Sequence, residues 1–203
     1  MTRHLESVSP DEALARLREG NRRFVAGEGS ALRQWHPGLT ADQRPFAVFL
    51  GCSDSRAPAE FVFDQGLGDL FVIRVAGNII APSLVGSVEF ACDQFDTRLV
   101  VVMGHTQCGA IDATVAALES PIPPSTNLLS IVERIRPHVE HLFSTPADRV
   151  KRKLDAVRVN AIESARELRR SSPILQALIE RGQIVIVAAV YDLSTGVVTF
   201  FEQ

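Results

Sequence analysis

Two stretches of the chain are apolar almost without a break, Pro45 to Gly51 and Leu99 to Gly104, and two more, Leu70 to Val75 and Ile184 to Val190, are nearly so. Runs this short with no polar alternation predict strands buried on both faces, as in a parallel sheet. The segments between them carry helical spacing. Ser9-Pro10-Asp11-Glu12 reads as a helix start, with Ser9 as N-cap, Pro10 in the first helical position and Glu12 completing a capping box. Ala13, Leu14, Leu17, Phe24 and Val25 then recur on one face; Gly20 is expected to interrupt the helix and Gly27 to end it. This amphipathic segment either packs on its own core or forms an arm around a second subunit.

A short helix is expected after Ala57-Pro58-Ala59-Glu60, and longer ones over Pro82–Gln94, Ala110–Leu118, Asn127–Leu142, Pro146–Arg170 and Pro173–Arg181. Residues 28–44 and Pro121–Thr126 read as loops, the first holding the single tryptophan, Trp35, which is expected to pack on a neighbour. Tyr191 to Gly196 forms a hairpin-like turn into a last strand, Val197–Phe201. Strand–helix alternation of this kind predicts an α/β fold. The expected form is a mostly parallel four-stranded central sheet with a C-terminal edge strand, helices on both faces and an N-terminal helical arm. Residues 1–203 are expected to form one domain, with 1–27 as the arm.

Composition narrows the class. A chain of 203 residues can bury one sizeable core. It is 46% hydrophobic and 22% charged, with a net charge of −3, which argues against a nucleic-acid partner or an anionic membrane surface. The one basic cluster, Arg149 to Lys153, reads as a solvated turn of helix. No run approaches the roughly eighteen apolar residues needed to span a bilayer, and no apolar segment follows Met1. Three cysteines do not make a disulfide framework. These features predict a soluble, cytoplasmic protein whose thiolates are available to a metal.

The chemistry lies just past two strand ends. One strand runs into Cys52-Ser53-Asp54-Ser55-Arg56 and another into His105-Thr106-Gln107-Cys108. In parallel sheets, ligands bind outside the carboxyl ends of the strands. Two thiolates and an imidazole suit zinc, and three protein ligands leave one position for water, as in catalytic rather than structural sites. Cys92 falls inside an apolar helical pattern and reads as core. Asp54 has two exclusive fates. It closes the site as a fourth ligand, or it pairs with Arg56 as a bidentate carboxylate and orients the water. Two thiolates donate more negative charge than three imidazoles, so activity favoured by mildly alkaline pH is expected.

At these residues the sequence resembles the β-class carbonic anhydrases. The resemblance rests on Cys52-Ser53-Asp54-Ser55-Arg56, Arg74-Val75-Ala76-Gly77-Asn78 and Gly104-His105-Thr106-Gln107-Cys108-Gly109, and extends over residues 9–203. It implies reversible hydration of CO2 to bicarbonate and a proton by zinc-bound hydroxide, with one zinc per subunit held by Cys52, His105 and Cys108. It implies Asp54 and Arg56 as the catalytic dyad, and Gln43 as a hydrogen-bonding partner for substrate or a bound anion. Phe71, Ala76 and Phe90 are implied as walls of an apolar pocket shared across a dimer interface, and Gly109 as a backbone N–H donor. It implies a homodimer, often a dimer of dimers, with the N-terminal helix as the dimer arm.

One subgroup of the family has an inhibitory bicarbonate site built from Trp, Arg and Tyr. Arg74 and Tyr191 match two of those positions, but Phe49 stands at the Trp position, and together with Gln43 this implies the subgroup lacking that site. Two readings compete with CO2 hydration: hydrolysis of a sulfur analogue such as CS2 at the same centre, and a catalytically silent, zinc-stabilised scaffold. A redox role for Cys52 and Cys108 is weaker, because no C-x-x-C is present. Proton-shuttle candidates are His4, His36, His138 and His141.

Overall fold

The computed structural model describes residues 7–29, 37–40, 42–119, 125–143 and 148–201. Trp35, His4, His36 and most of the Pro-rich break at 121–126 lie outside these residues. Among the described residues the strands are β1 (Ala47–Gly51), β2 (Leu70–Arg74), β3 (Leu99–His105), β4 (Val185–Tyr191) and β5 (Val198–Phe201), in the spatial order β2-β1-β3-β4-β5. All neighbours are parallel except β4 and β5, which form the antiparallel edge. Every residue of β1 and β3 is buried, as their unbroken apolar runs require.

Alternate strand residues face opposite sides. Phe49, Val101, Met103 and Ala189 pack under α1 (Pro10–Ala26) and α2 (Ala59–Val62). Val48, Leu50, Val102 and Ala188 pack against α3 (Pro82–Phe95), α6 (Arg149–Arg170) and α7 (Pro173–Glu180). A third cluster gathers Cys52, Cys108, Ile79 and Ile135 under α4 (Gly109–Glu119) and α5 (Thr126–Val139), beyond the carboxyl end of the sheet. No helix among the described residues is long and apolar enough to cross a membrane.

α1 starts as expected: Ser9 accepts a hydrogen bond from the Glu12 N–H, although the Glu12 carboxylate pairs with Arg16 instead of closing the box. Gly20 does not interrupt it. The helix runs through this position because its backbone lies on Phe63, where a Cβ would fall 1.8 Å from the Phe63 carbonyl oxygen. Gly27 ends the helix in the left-handed conformation. α1 lies on its own sheet. Ala13 and Leu17 are in the core, and buried Asn21 donates to the carbonyls of Val62 and Gly196 and accepts from the N–H of Val198.

α5 is shorter than the helical pattern over 127–142. Pro137 cannot supply its N–H, and after Val139 the chain tightens into a 3₁₀ turn over Glu140–Phe143. The basic cluster forms the first turn of α6. Arg149 pairs with Glu119, Lys153 with Asp112, and Arg152 stacks on Phe143, so it is tied to neighbouring elements rather than only solvated.

Candidate active site

The sheet order places the site. From β1 the chain goes outward to β2, then crosses back to β3 on the other side of β1, so the carboxyl ends of β1 and β3 are neighbours at a switch in strand order. Gly51 registers with Met103, which sets Cys52 beside Gly104 and His105. A turn in which Gln107 adopts positive φ then brings Cys108 back to the same point at the start of α4. The ligand atoms of Cys52, His105 and Cys108 all lie within 4.8 Å of one another, and the two sulfurs are 3.9 Å apart.

The surroundings leave these groups able to act as ligands. His105 Nδ1 lies 2.9 Å from the Thr106 carbonyl, which can only accept, so Nδ1 carries the hydrogen. That leaves Nε2 with its lone pair, buried and, among the described residues, without a hydrogen-bond partner. Cys52 Sγ accepts from the N–H of Gly77 at 3.4 Å and from that of Asp54. Cys108 accepts from the N–H groups of Ala110 and Ile111, in the first turn of α4. The Cys108 thiol, donating to Cys52 Sγ, and the two backbone N–H groups lower the pKa of the Cys52 thiol against the opposing effect of burial. The thiolate of Cys52, together with burial, pushes Cys108 up. Two adjacent sulfurs therefore hold one negative charge readily, and a second requires a cation between them. An orphaned imidazole nitrogen and two sulfurs cradled by N–H groups fit a soft dication such as zinc.

Asp54 is forked onto Arg56. Nε donates to Oδ1 at 2.9 Å and Nη2 to Oδ2 at 2.7 Å, while the Arg56 backbone N–H also donates to Oδ1 at 2.9 Å. Arg56 also reaches the carbonyl of Gln107 at 3.3 Å, tying the two ligand loops together. The Arg56 guanidinium holds the Asp54 carboxyl well below the usual carboxylate range. Asp54 Oδ2 remains 3.8 Å from His105 Nε2, at the edge of the ligand group. Arg74, matched in sequence to an inhibitory site, is committed elsewhere: it donates to the carbonyls of Cys52 at 2.9 Å and Asp54 at 2.5 Å and fixes the loop that carries both. Tyr191 packs near Phe24.

Ala76 lies in a 3₁₀ turn over Ala76–Asn78, against the cluster that holds Cys52 and Cys108. Gly109 opens α4 with free space where a Cβ would be. Phe71, Phe90 and Gln43 are not brought to the ligands of their own chain. Phe71 registers with Val48, near the opposite end of the sheet from Arg74, which registers with Gly51. Its ring packs with Phe90 and Phe95 at 6.2 and 6.0 Å, and Phe90 is 52% exposed. Gln43 lines a separate recess with Leu39, Asp42 and Phe95. A cavity of about 400 Å³ does reach Arg56 and Cys108, walled by Ile111, Val150, Leu154 and Val157 with Asp112 and Lys153 at its polar side.

Asn160 and the role of Gly77 toward Cys52 escaped the sequence reading. Asn160 donates to the Gly77 carbonyl from α6, across 83 residues, a contact that no local pattern encodes. Gly77 lies inside a quoted motif, and its signal was a glycine beside a ligand loop.

Comparison with known proteins agrees with the geometry. A family model described as carbonic anhydrase matches residues 47–198. Carbonic anhydrase 2 of Mycobacterium tuberculosis is 37% identical over 200 residues, covering 95% of this chain and 93% of that one. A carbonic anhydrase of Mycolicibacterium smegmatis is 40% identical over 195 residues, with the same coverage of 95% and 93%. Among solved structures, a β-carbonic anhydrase from Coccomyxa in complex with acetazolamide superposes with a TM-score of 0.71 at 26% identity, covering 92% of this chain and 85% of that one.

Proposed function

The chain belongs to the β-class carbonic anhydrases, and from that membership we propose that it hydrates CO2 reversibly to bicarbonate and a proton at a zinc held by Cys52, His105 and Cys108. The observation that carries the metal reading is the buried Nε2 of His105, without a hydrogen-bond partner among the described residues, beside two sulfurs 3.9 Å apart. Zinc, when bound, supplies a Lewis acid that lowers the pKa of water towards about 7.

The chain's own residues do the rest. Arg56 keeps Asp54 ionised and held in a fork at the edge of the ligand group, so that its carboxylate accepts a hydrogen bond from the attacking water and aims the oxygen. The product proton leaves to solvent or buffer. The apolar walls of the cavity beside Arg56 and Cys108 suit a small substrate without a dipole and favour release of charged bicarbonate. Gly109 offers its backbone N–H at the start of α4 to the reacting oxygen.

Phe71, Phe90 and Gln43 fit this reading as residues that serve a second subunit. They lie on the β2–α3 side of their own chain, and the cluster of Phe71, Phe90 and Phe95 leaves apolar surface there for a partner to cover. We therefore propose a homodimer, paired further into a dimer of dimers. The N-terminal helix would add contacts through the face it does not spend on its own sheet. The free thiols favour a reducing, cytoplasmic location.

The test is stopped-flow CO2 hydration with a pH indicator. The zinc-loaded protein should accelerate the reaction, Cys108→Ser should lose both zinc and activity, and Asp54→Ala should keep zinc and lose activity. Hydration that survives complete zinc removal contradicts the proposal, and turnover of CS2 but not CO2 points to the sulfur-analogue reading.

A further inference from the structure

We propose that Asn160 and His138 are positioning residues for Cys52, acting through the backbone of Gly77. The proposal rests on the reading of Cys52 as a zinc ligand. Four contacts join five residues in one continuous chain. Gly77 N–H donates to Cys52 Sγ at 3.4 Å, and the Gly77 carbonyl accepts from Asn160 Nδ2 at 2.9 Å. Asn160 Oδ1 lies 3.0 Å from His138 Nδ1, and His138 Nε2 lies 3.5 Å from Glu167. The direction of each bond is fixed. A carbonyl only accepts, so Asn160 must turn its amide nitrogen to Gly77 and its oxygen to His138, whose Nδ1 must then carry a hydrogen.

Gly77 is where holding matters. Its φ of 73° and ψ of 15° are left-handed, a conformation open to glycine. The N–H that faces the sulfur and the carbonyl that faces Asn160 belong to the two peptide planes joined at its Cα. Fixing the second plane limits rotation about that Cα and keeps the first aimed at Cys52. Asn160 is buried to 1% exposure on a face of α6 that it shares with Ala156, Val157, Ala161, Ser164, Ala165 and Leu168. An apolar residue of similar size would fill that place but could not hold the Gly77 carbonyl. The N–H···S bond withdraws charge from the thiolate and orients it before metal arrives, the role that groups behind a metal ligand commonly play. His138 is thereby engaged at Nδ1 by Asn160 and faces Glu167 with Nε2, which uses it as a brace rather than as a proton shuttle.

The test uses the full chain loaded with zinc or with cobalt. Zinc affinity is measured by chelator competition, and the thiolate-to-cobalt charge-transfer band by near-ultraviolet absorption. Asn160→Leu keeps the volume and loses the donor. It should weaken zinc binding about 10–100-fold and move the cobalt band to lower energy. His138→Leu should shift both readouts in the same directions, while His138→Asn, which places an amide N–H near the Nδ1 position, should restore them. A folded Asn160→Leu protein with unchanged affinity and band overturns the proposal. If that variant does not fold, the His138 pair decides: rescue by Asn supports the proposal, and equal behaviour of Leu and Asn overturns it. Wild-type protein that binds no zinc defeats the ligand reading and this proposal together, whereas normal wild-type loading with unresponsive variants defeats this proposal alone.

Discussion

Replacing Gly77 with Ala should damage the protein out of proportion to one methyl group. A Cβ at this position would lie 2.7 Å from Ile135 Cδ1 and 2.9 Å from Ala110 Cβ. The Ile135 methyl can swing away, but Ala110 Cβ is fixed to the first turn of α4, two residues from Cys108. The left-handed conformation costs an alanine about 1–2 kcal/mol, and overpacking adds about 1–3 kcal/mol. The stiffer unfolded chain returns less than about 1 kcal/mol. The net loss is about 3 kcal/mol, or about 6–12 °C in Tm for a domain of this size. Reversible denaturation of the zinc-loaded protein measures it, with Gly86→Ala as control. Gly86 is an exposed position within α3 with no atom within 4 Å of the added Cβ, so alanine should be neutral or stabilise by about 0.5–1 kcal/mol. If Gly77→Ala is no more damaging than Gly86→Ala, the description of the turn behind Cys52 is wrong.

Two further predictions address the arm and the dyad. Asn21→Ala removes three buried or partly buried hydrogen bonds that tie α1 to α2 and to the β4–β5 turn, and should cost about 2–4 kcal/mol in chemical denaturation, independent of protein concentration; a loss that grows on dilution would show that α1 is held mainly by a partner subunit. Asp54 is depressed by Arg56, so whatever it contributes is present above the ordinary carboxylate pKa and is lost only as pH falls through its lower folded value. Arg56→Leu should therefore reduce CO2 hydration about 10–100-fold at every pH from 6 to 9, through lost orientation rather than lost charge; activity recovered at the alkaline end of that range would refute this.

The parts of the fold legible in sequence were those in which local pattern and burial coincide. β1 and β3 are apolar throughout because both faces are covered, so their runs, and the candidate ligands at their ends, could be read directly. Gly20 misled because its requirement is a close approach to Phe63, across 43 residues, and not a break in the helix. The two fates of Asp54 are chemically equal in sequence; the fork onto Arg56 is seen only once the loop is folded. Arg74 sits in a recognisable motif, but its grip on the carbonyls of Cys52 and Asp54 depends on β2 pairing with β1. His138 stood among equal histidines until α5 and α6 brought it to Asn160 and Glu167.

The central claim is that Cys52, His105 and Cys108 together bind the catalytic metal, and zinc K-edge X-ray absorption on the purified protein tests it most directly. The account predicts one zinc per chain, with two sulfur ligands at about 2.3 Å and one imidazole nitrogen at about 2.0–2.1 Å, and with the sulfur count falling to one in Cys108→Ser if any metal remains. A zinc shell without sulfur, or a fully active protein without zinc, would contradict it.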